Sequence, residues 1–401
     1  MSNPHTTTLL ISSLPPNSTF GIDLHTYTTG PNFRGIKYVP PGLHFVYYAR
    51  SPGVPGGLGA QGQVSPDVSG GMGLRDGFWV EARGGGEVIV REWDAESDEL
   101  RVAEALTSTT VDERGLAPYP YREPGIEGEE RQPSTDDFKR LSTRITKELL
   151  DRILPTGWGV GSTTASISDE KELKTGAAST PDEHVLRFSV IDLKRSWPPG
   201  SVGADITRWS LDKSWVLNST IQTYHSGDRT ALLGELQLAY LCLLAVSNFA
   251  GWEAWKTIVE MVCDAQEAIA TESWQAFFVE FMDVIEAQLV CTPEATFRDI
   301  VEDSLFLATQ LRHLRRNITD GEASTATPGV VPSSVLSARL DDLLKALKEA
   351  FDYEIELVGG PHAGRGFVDL ENGGEVIVIG EGAEDEMEEE TGEYAPVIVE
   401  M

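Results

Sequence analysis

Asp228-Arg-Thr-Ala-Leu-Leu-Gly-Glu-Leu-Gln-Leu-Ala-Tyr-Leu-Cys-Leu-Leu-Ala-Val-Ser-Asn-Phe249 is apolar around nearly its whole helical circumference. A helix without a polar stripe must be covered on all sides, so this one reads as the centre of an all-α region. Outward from it the apolar residues keep a helical period. Trp252, Trp255, Val259, Val262 and Ile269 mark a second helix, and Trp274, Phe277, Phe281, Ile285 and Leu289 a third. A fourth opens at Pro293 and carries Phe297, Ile300, Leu305, Leu311 and Leu314. A fifth starts at Ser333 or Ser334, after Pro332, with Leu336, Leu340, Leu343, Leu347 and Phe351. Short links among the earlier helices make neighbours antiparallel. The Trp252/Trp255 and Trp274/Phe277/Phe278/Phe281 stripes read as core in preference to a ligand groove, because that is what aromatic residues at helical spacing do.

Upstream the period changes to that of strands. Short runs at Phe20–Leu24, Gly35–Val39, His44–Tyr48, Gly77–Ala82 and Glu87–Trp93 suit an antiparallel sandwich or barrel. Gly84-Gly-Gly86 is expected to close a hairpin between the last two. Residues 51–74, rich in Gly and Pro, read as a disordered insert. Ser134-Thr-Asp-Asp137 starts a helix that carries Phe138, Leu141, Ile145, Leu149 and Ile153 and stops at Pro155. A mobile Gly/Ser/Thr-rich loop, 156–183, and a lone strand, Val185–Ile191, follow. Tyr119-Pro-Tyr121 joins the two regions, and a rigid Tyr/Pro linker suits pinning them together more than docking a partner. The expected organisation is therefore a multidomain α+β chain. It has a β-rich part at 8–122, a connecting part at 123–203, a helical part at 204–357 and an acidic tail at 358–401 ending in a β-strand.

That tail accounts for much of the charge. The 401 residues carry a net charge of −31, and residues 369–401 hold 12 acids with no Lys or Arg. Such a balance argues against direct nucleic-acid binding, which needs clustered Lys and Arg, and against anionic membranes. The basic knot Arg312-His-Leu-Arg-Arg316 is expected near a helix C-terminus, where cations suit the helix dipole. The last residues, Tyr394-Ala-Pro-Val-Ile-Val-Glu-Met401, follow the acidic run 383–390. They read either as a strand offered to another protein's sheet edge or as one tucked onto this chain's own sheet.

Cys242, Cys263 and Cys291 all fall in apolar helical patterns, as small buried thiols of a reducing compartment do. The N-terminus has no signal-peptide pattern, and the stretch Leu236–Val246 is too short to span a bilayer. A cytoplasmic and nuclear protein is expected.

No catalytic motif, cofactor loop or metal spacing is present: no GxSxG, no Walker loop, no HExxH, and histidines scattered singly. The expectation is a non-enzyme without cofactor or metal. The competing reading is an enzyme with a site between the β and α parts, using His44 with Asp23 or Glu81. A third is a helical-peptide groove in the α part. Ser166-Ile-Ser168-Asp-Glu-Lys-Glu172 places acids after its serines, so Ser166 and Ser168, together with Ser324 and Thr325 of the later linker, are candidate phosphorylation sites.

Six stretches, in order, resemble one family. They are Phe20-Gly-Ile-Asp-Leu24, Gly30-Pro-Asn-Phe-Arg-Gly-Ile-Lys37, Val39-Pro-Pro-Gly-Leu-His-Phe45, Leu116-Ala-Pro-Tyr-Pro-Tyr121, Leu233-Gly-Glu-Leu-Gln-Leu-Ala-Tyr240 and Ala395-Pro-Val-Ile-Val-Glu400. The chain resembles the A1 cistron-splicing factor family, except at 51–74, 156–183 and 358–392. The resemblance implies a β-sandwich-like domain followed by a helical-bundle (VHS-like) domain. It also implies a non-enzymatic assembly factor of the U5 small nuclear ribonucleoprotein. Such a factor binds the RNase H-like and Jab1/MPN-like domains of the large U5 scaffold, pre-mRNA-processing splicing factor eight. It would be a monomer when free and would keep the U5 helicase off the immature particle. The implied contact is strand addition by Tyr394, Ala395, Pro396, Val397, Ile398, Val399 and Glu400.

Overall fold

From His44 onward every side chain of the strand Gly42–Ala49 is buried, so this strand faces a core on both sides. Val46 and Tyr48 point one way, Phe45 and Tyr47 the other, as the two-residue strand period requires. The structure, a computed structural model, describes residues 5–49, 74–103, 114–119, 135–155, 157–167, 185–302, 306–324 and 334–353. All of them belong to one compact unit, Met1–Ile355.

The strands among the described residues are β1 (Thr7–Ser12), β2 (Thr19–Ile22), β3 (His25–Thr28), β4 (Gly35–Val39), β5 (Gly42–Ala49), β6 (Asp76–Ala82), β7 (Val88–Asp94), β8 (Glu99–Val102), β9 (Leu116–Pro118) and β10 (Gly159–Gly161). They form two five-stranded sheets, ordered β8-β7-β1-β4-β9 and β10-β6-β5-β2-β3. Leu9, Ile11, Ile36 and Trp93 of the first sheet meet Phe20, Ile22, Val46 and Phe78 of the second. The Tyr48 hydroxyl accepts the Leu100 N–H across the gap at 2.9 Å. The other face of the second sheet, with Phe45, Tyr47 and Trp79, packs into the helical core. Three layers result: sheet, sheet, helices. Each aromatic buried at the last seam stabilises by about 2–3 kcal/mol relative to exposure.

The sandwich is not wholly antiparallel, because β1 runs parallel to β7 and β4 parallel to β9. The hairpin expected at Gly84–Gly86 does not form. Those three glycines all have left-handed backbone (φ 73°, 67° and 78°) and carry the chain from β6 in one sheet to β7 in the other. Successive left-handed residues of this kind favour glycine. Gly86 N–H donates to Thr6 O at 3.0 Å, and Gly84 N–H to the Thr7 hydroxyl at 3.0 Å, which sets β7 beside β1.

A true hairpin joins β2 to β3. Asp23 and Leu24 both have positive φ (51° and 70°) while Ile22 pairs with His25, the geometry of a two-residue primed turn. Leu24 is an unusual occupant of that conformation, and burial of its side chain in the helical core offsets the strain.

The helices among the described residues are α1 (Thr135–Ser142), α2 (Lys147–Ile153), α3 (Ala204–Leu211), α4 (Ser214–His225), α5 (Arg229–Val246), α6 (Phe249–Cys263), α7 (Gln266–Ile269), α8 (Gln275–Val290), α9 (Glu294–Glu302), α10 (Phe306–Ser324) and α11 (Ser334–Phe351). Helix α5 is central. Asp228 caps its start by accepting Thr230 N–H at 2.8 Å, and Ser247, left-handed at φ 53°, ends it. It is long and apolar enough to cross a membrane, but 72% of that window is buried within the protein, as in a core helix.

Five further sequence expectations change. The helix expected over 134–153 is two helices with an elbow at 143–146. The run Val185–Ile191 is not a strand: only Leu186 bridges, to Ser166, while Val185, Leu186 and Phe188 sink into the core. The helix from Pro293 to Leu314 is α9 and α10. Because α10 continues to Ser324, the basic knot 312–316 lies mid-helix, where His313 Nδ1 contacts Asp264 Oδ1 at 2.9 Å and Arg315 reaches Ser337 and Asp341. The stretch expected as a linker from 319 is helical through 324.

Candidate functional site

The hairpin turn at Asp23 aims its carboxylate inward, where three donors converge. His44 Nδ1 lies 2.5 Å from Asp23 Oδ2, the Phe45 N–H donates to Oδ1 at 3.0 Å, and the Tyr119 hydroxyl donates to Oδ2 at 2.5 Å. His44 Nε2 is 2.8 Å from the Pro40 carbonyl. Both ring nitrogens thus face acceptors, an arrangement that suits the imidazolium. Burial opposes that charge, but the Asp23 hydrogen bond and charge together with the Pro40 carbonyl outweigh it and raise the His44 pKa. Burial, then the Asp23 charge, pushes the Tyr119 phenol far up, so it stays a donor.

Sequence spacing gave no sign that His44 and Asp23 meet, and the structure brings them together. Glu81 stays apart: in register with Leu43, it pairs with Lys147 at 3.6 Å. The His44–Asp23–Tyr119 cluster is nevertheless a poor acid–base site. Asp23 is fully buried, His44 is 5% exposed, and no ring nitrogen is left for a substrate. Its effect is to fasten the segment after β9 onto the β2–β3 turn. Tyr119 therefore pins within the sandwich, where the sequence suggested a pin between the β and α regions.

A second buried cluster hangs on the central helix. Glu235, fully buried on α5, accepts from Arg152 at 2.5 Å and from the Ser189 N–H at 2.6 Å and hydroxyl at 2.9 Å. His225 Nε2 stands 3.2 Å away, at ion-pair distance. Burial would raise the Glu235 pKa, but His225, Arg152 and the Ser189 amide more than reverse it. Two residues on, Gln237 accepts Arg144 N–H at 2.8 Å and donates to Arg140 O at 3.1 Å and the Thr143 hydroxyl at 3.0 Å. Those bonds supply what the α1–α2 elbow loses from its helical ladder. A Cβ on Gly234 would sit 2.3 Å from Arg144 O, so only glycine admits the elbow this close.

A third set of bonds locks the second sheet to the end of α5. Asn248 Oδ1 caps α6 by accepting Gly251 N–H at 2.8 Å, while its Nδ2 donates to Gly161 O at 2.7 Å and Thr164 O at 2.8 Å. The Ser162 hydroxyl donates to Val246 O at 2.6 Å, and Arg75 to Ala245 O at 3.2 Å. Trp255, Phe277 and Phe281 are core residues, with Trp255 Nε1 donating to Gln288 at 2.8 Å. All three cysteines are buried free thiols, and burial pushes the Cys242 thiol up to about 12. No three His, Cys, Asp or Glu side chains converge as a metal site among the described residues.

The proposed contact residues Tyr394–Glu400 lie outside the described residues, as do Ser168, Thr325, Pro120, Tyr121, all of the insert 51–74 but Leu74, the acidic run 383–390 and the run 375–379. Ser324 is the last residue of α10. Ser166 is buried and bridges Leu186.

Comparison with known proteins now bears on these elements. Residues 5–155 match the family described as AAR2 N-terminal domain, and residues 188–356 the AAR2 C-terminal repeat region. The chain belongs to the AAR2 family. The mouse protein named "Protein AAR2 homolog" is 27% identical over 332 residues, covering 76% of this chain and 81% of its own. The Caenorhabditis elegans "Protein AAR2 homolog" is 27% identical over 345 residues, with 78% and 86% covered. "A1 cistron-splicing factor AAR2" of Saccharomyces cerevisiae is 21% identical over 285 residues, with 64% and 71% covered. The family is the one the six stretches resemble. In this AAR2-family chain four of those stretches supply the two buried clusters: Phe20–Leu24 carries Asp23, Val39–Phe45 His44, Leu116–Tyr121 Tyr119, and Leu233–Tyr240 Gly234, Glu235 and Gln237.

Proposed function

We propose that this chain is a non-enzymatic assembly factor acting in U5 small nuclear ribonucleoprotein biogenesis and pre-mRNA splicing. The observation that carries the reading is family membership, with a yeast relative named as a splicing factor. The partner is the large U5 scaffold, pre-mRNA-processing splicing factor eight, through its RNase H-like and Jab1/MPN-like domains. Residues Tyr394–Glu400 add as a strand to that partner, a recurrent mode for an extended segment. The net charge of −31 favours a basic partner surface and steers the encounter. Once bound, the chain keeps the U5 helicase and RNA from the occupied surface. Phosphorylation at Ser166, Ser168, Ser324 or Thr325 adds charge and promotes release. At Ser166 it first requires opening of the bridge to Leu186. The protein works in the cytoplasm and nucleus and is a monomer when free.

Calorimetry of the full chain and of a 1–392 truncation against the purified RNase H-like and Jab1/MPN-like domains tests this. Tight binding that weakens strongly without the tail, and weakens as salt rises, supports it. No binding by the full chain overturns the partner assignment. Equal binding by both chains removes the role of the tail.

A further inference from the structure

Residues 190–211 run between two fixed roots. At the first, Ser189 gives its N–H and hydroxyl to Glu235 of α5. At the second, Lys213 N–H donates to Asp264 O at 2.9 Å, Asp212 Oδ2 accepts Glu267 N–H at 3.2 Å and the Ser214 hydroxyl accepts Ala268 N–H at 2.9 Å. Those bonds fasten 212–214 to the corner between α6 and α7. The segment between the roots holds one 3-10 turn, Leu193–Arg195, and helix α3.

Helix α3 has no buried side chain and packs chiefly on that turn. No apolar side chain of 190–211 is buried. Ile191 and Leu193 lie partly against the helical core, while Val190, Val202 and Leu211 are exposed. The one buried residue of the segment is polar, Ser196. Several of its hydrogen bonds are internal: Asp192 Oδ1 accepts the Lys194 and Arg195 N–H groups at 3.0 Å each, and the Ser196 hydroxyl donates to Trp209 O. Hydrophobic burial, the main force that holds an element down, is thus slight here.

Among the described residues two side chains make the hydrogen bonds between this segment and the body. Arg208 meets Glu267 at 2.6 Å in an exposed ion pair, which contributes little in water. Lys213 does more. It is 7% exposed, and its ammonium donates to Leu193 O at 2.9 Å, the Ser196 hydroxyl at 3.0 Å and Ser210 O at 2.5 Å. One cation thus ties the 3-10 turn to the end of α3, with all three protons used. Its acceptors are neutral, and the charges of Asp264, Glu260, Asp212 and Asp192 act from further off. Burial outweighs them and lowers the Lys213 pKa. Opening the segment returns the ammonium to water, which offsets part of the bonding lost.

We propose that residues 190–211 form a strap that opens as a unit while the rest of the fold stays closed, with the Lys213 side chain as its latch. Closed, the strap covers the Lys213 amine and half-buries its own Trp197 and Trp209; open, it presents all three to solvent. The device rests on bonds within this chain, so it stands or falls independently of the partner assignment above.

The test combines amide hydrogen exchange with acetylation by acetic anhydride on the folded full-length chain, over a series of low urea concentrations. The α3 amides are expected to exchange about a hundredfold or more faster than those of α5, with little dependence on urea. Lys213 is expected to acetylate in the same opening, more slowly than the exposed Lys345 by the factor that protects the α3 amides. Lys213→Met should speed α3 exchange about tenfold with α5 unchanged, and Ser196→Ala, which removes one acceptor, should speed it less. The wild-type labelling and Ser196→Ala decide the matter even where Lys213→Met does not fold. Acetylation of Lys213 only as urea unfolds α5 overturns the strap. So does α3 exchange that outruns the acetylation, since that is fraying of a short helix. Exchange raised equally in α3 and α5 by the substitutions makes Lys213 a residue of the global fold and overturns the latch.

Discussion

His44 Nδ1 and Asp23 Oδ2 stand 2.5 Å apart, and neither side chain is open to solvent. The pair joins a hairpin turn to the first buried residue of the central strand, with Tyr119 closing the third side. A raised histidine pKa means the folded state binds a proton more tightly than the unfolded chain. The stabilisation is full below the unfolded value of about 6.5 and is lost as pH rises through the higher folded value. Urea unfolding at pH 6, 7.5 and 9 is expected to show wild type losing stability upward relative to His44→Gln. Parallel pH curves for the two proteins would sink this account.

Glu235 titrates with the opposite sign. Its folded pKa is lowered, so its contribution is present above the usual carboxylate value of about 4.3 and lost as pH falls through the folded value. Substitution Glu235→Gln leaves the Arg152 guanidinium without its buried counter-charge. A loss of about 3 kcal/mol or more is expected in denaturant titrations. Ser189→Ala, which removes only one donor to Glu235, should cost about 1 kcal/mol.

Gly234 permits the close approach of Arg144, so Gly234→Ala forces the elbow away from α5. The expected cost is about 1–3 kcal/mol. Faster amide exchange should appear at residues 140–150, with little change in β5 and β6. Exchange that rises uniformly over the chain would argue against a local seat for the elbow.

Asn248 does two jobs with its two side-chain atoms, and one substitution separates them. Asn248→Asp keeps the oxygen that caps α6 but turns an acceptor toward Gly161 O and Thr164 O. It should destabilise at neutral pH at least as much as Asn248→Ala, by about 2 kcal/mol. If Asp is tolerated better than Ala, the cap alone matters and the link to the sheet is unimportant.

The elements that a periodic pattern encodes were legible: the central helix 229–246, the strands at 35–39 and 76–82, and the core role of Trp255 and Phe281. What escaped the sequence were features set by partners far along the chain. The helix over 134–153 has an unbroken apolar period, and its elbow exists because Gln237, 93 residues beyond Arg144, supplies replacement hydrogen bonds. Val185–Ile191 has strand-like alternation, but its buried residues fill gaps in the helical core instead of pairing. Gly84–Gly86 signalled a turn correctly and gave no clue to which sheet the chain would enter next. For the polar clusters a faint signal did exist. A glutamate and a glutamine inside an otherwise apolar helix must find partners, and Asn248 ahead of α6 matches a helix cap. His44 and Asp23 offered no such sign, since their meeting depends on strand register.

The second sheet is covered by residues that are made long after it. During synthesis β2, β3, β5 and β6 leave the ribosome before any of the helices, and Phe45, Tyr47 and Trp79 emerge with no helix to lie against. Phe138, which packs 6.1 Å from Trp79, comes some sixty residues later, and the central helix a further ninety. At ordinary elongation rates of roughly 5–20 residues per second, the nascent chain holds a sticky aromatic surface for several seconds. Amino-terminal fragments cut before α1 should therefore aggregate or occupy chaperones, so premature termination leaves a product that is hazardous and not merely inactive.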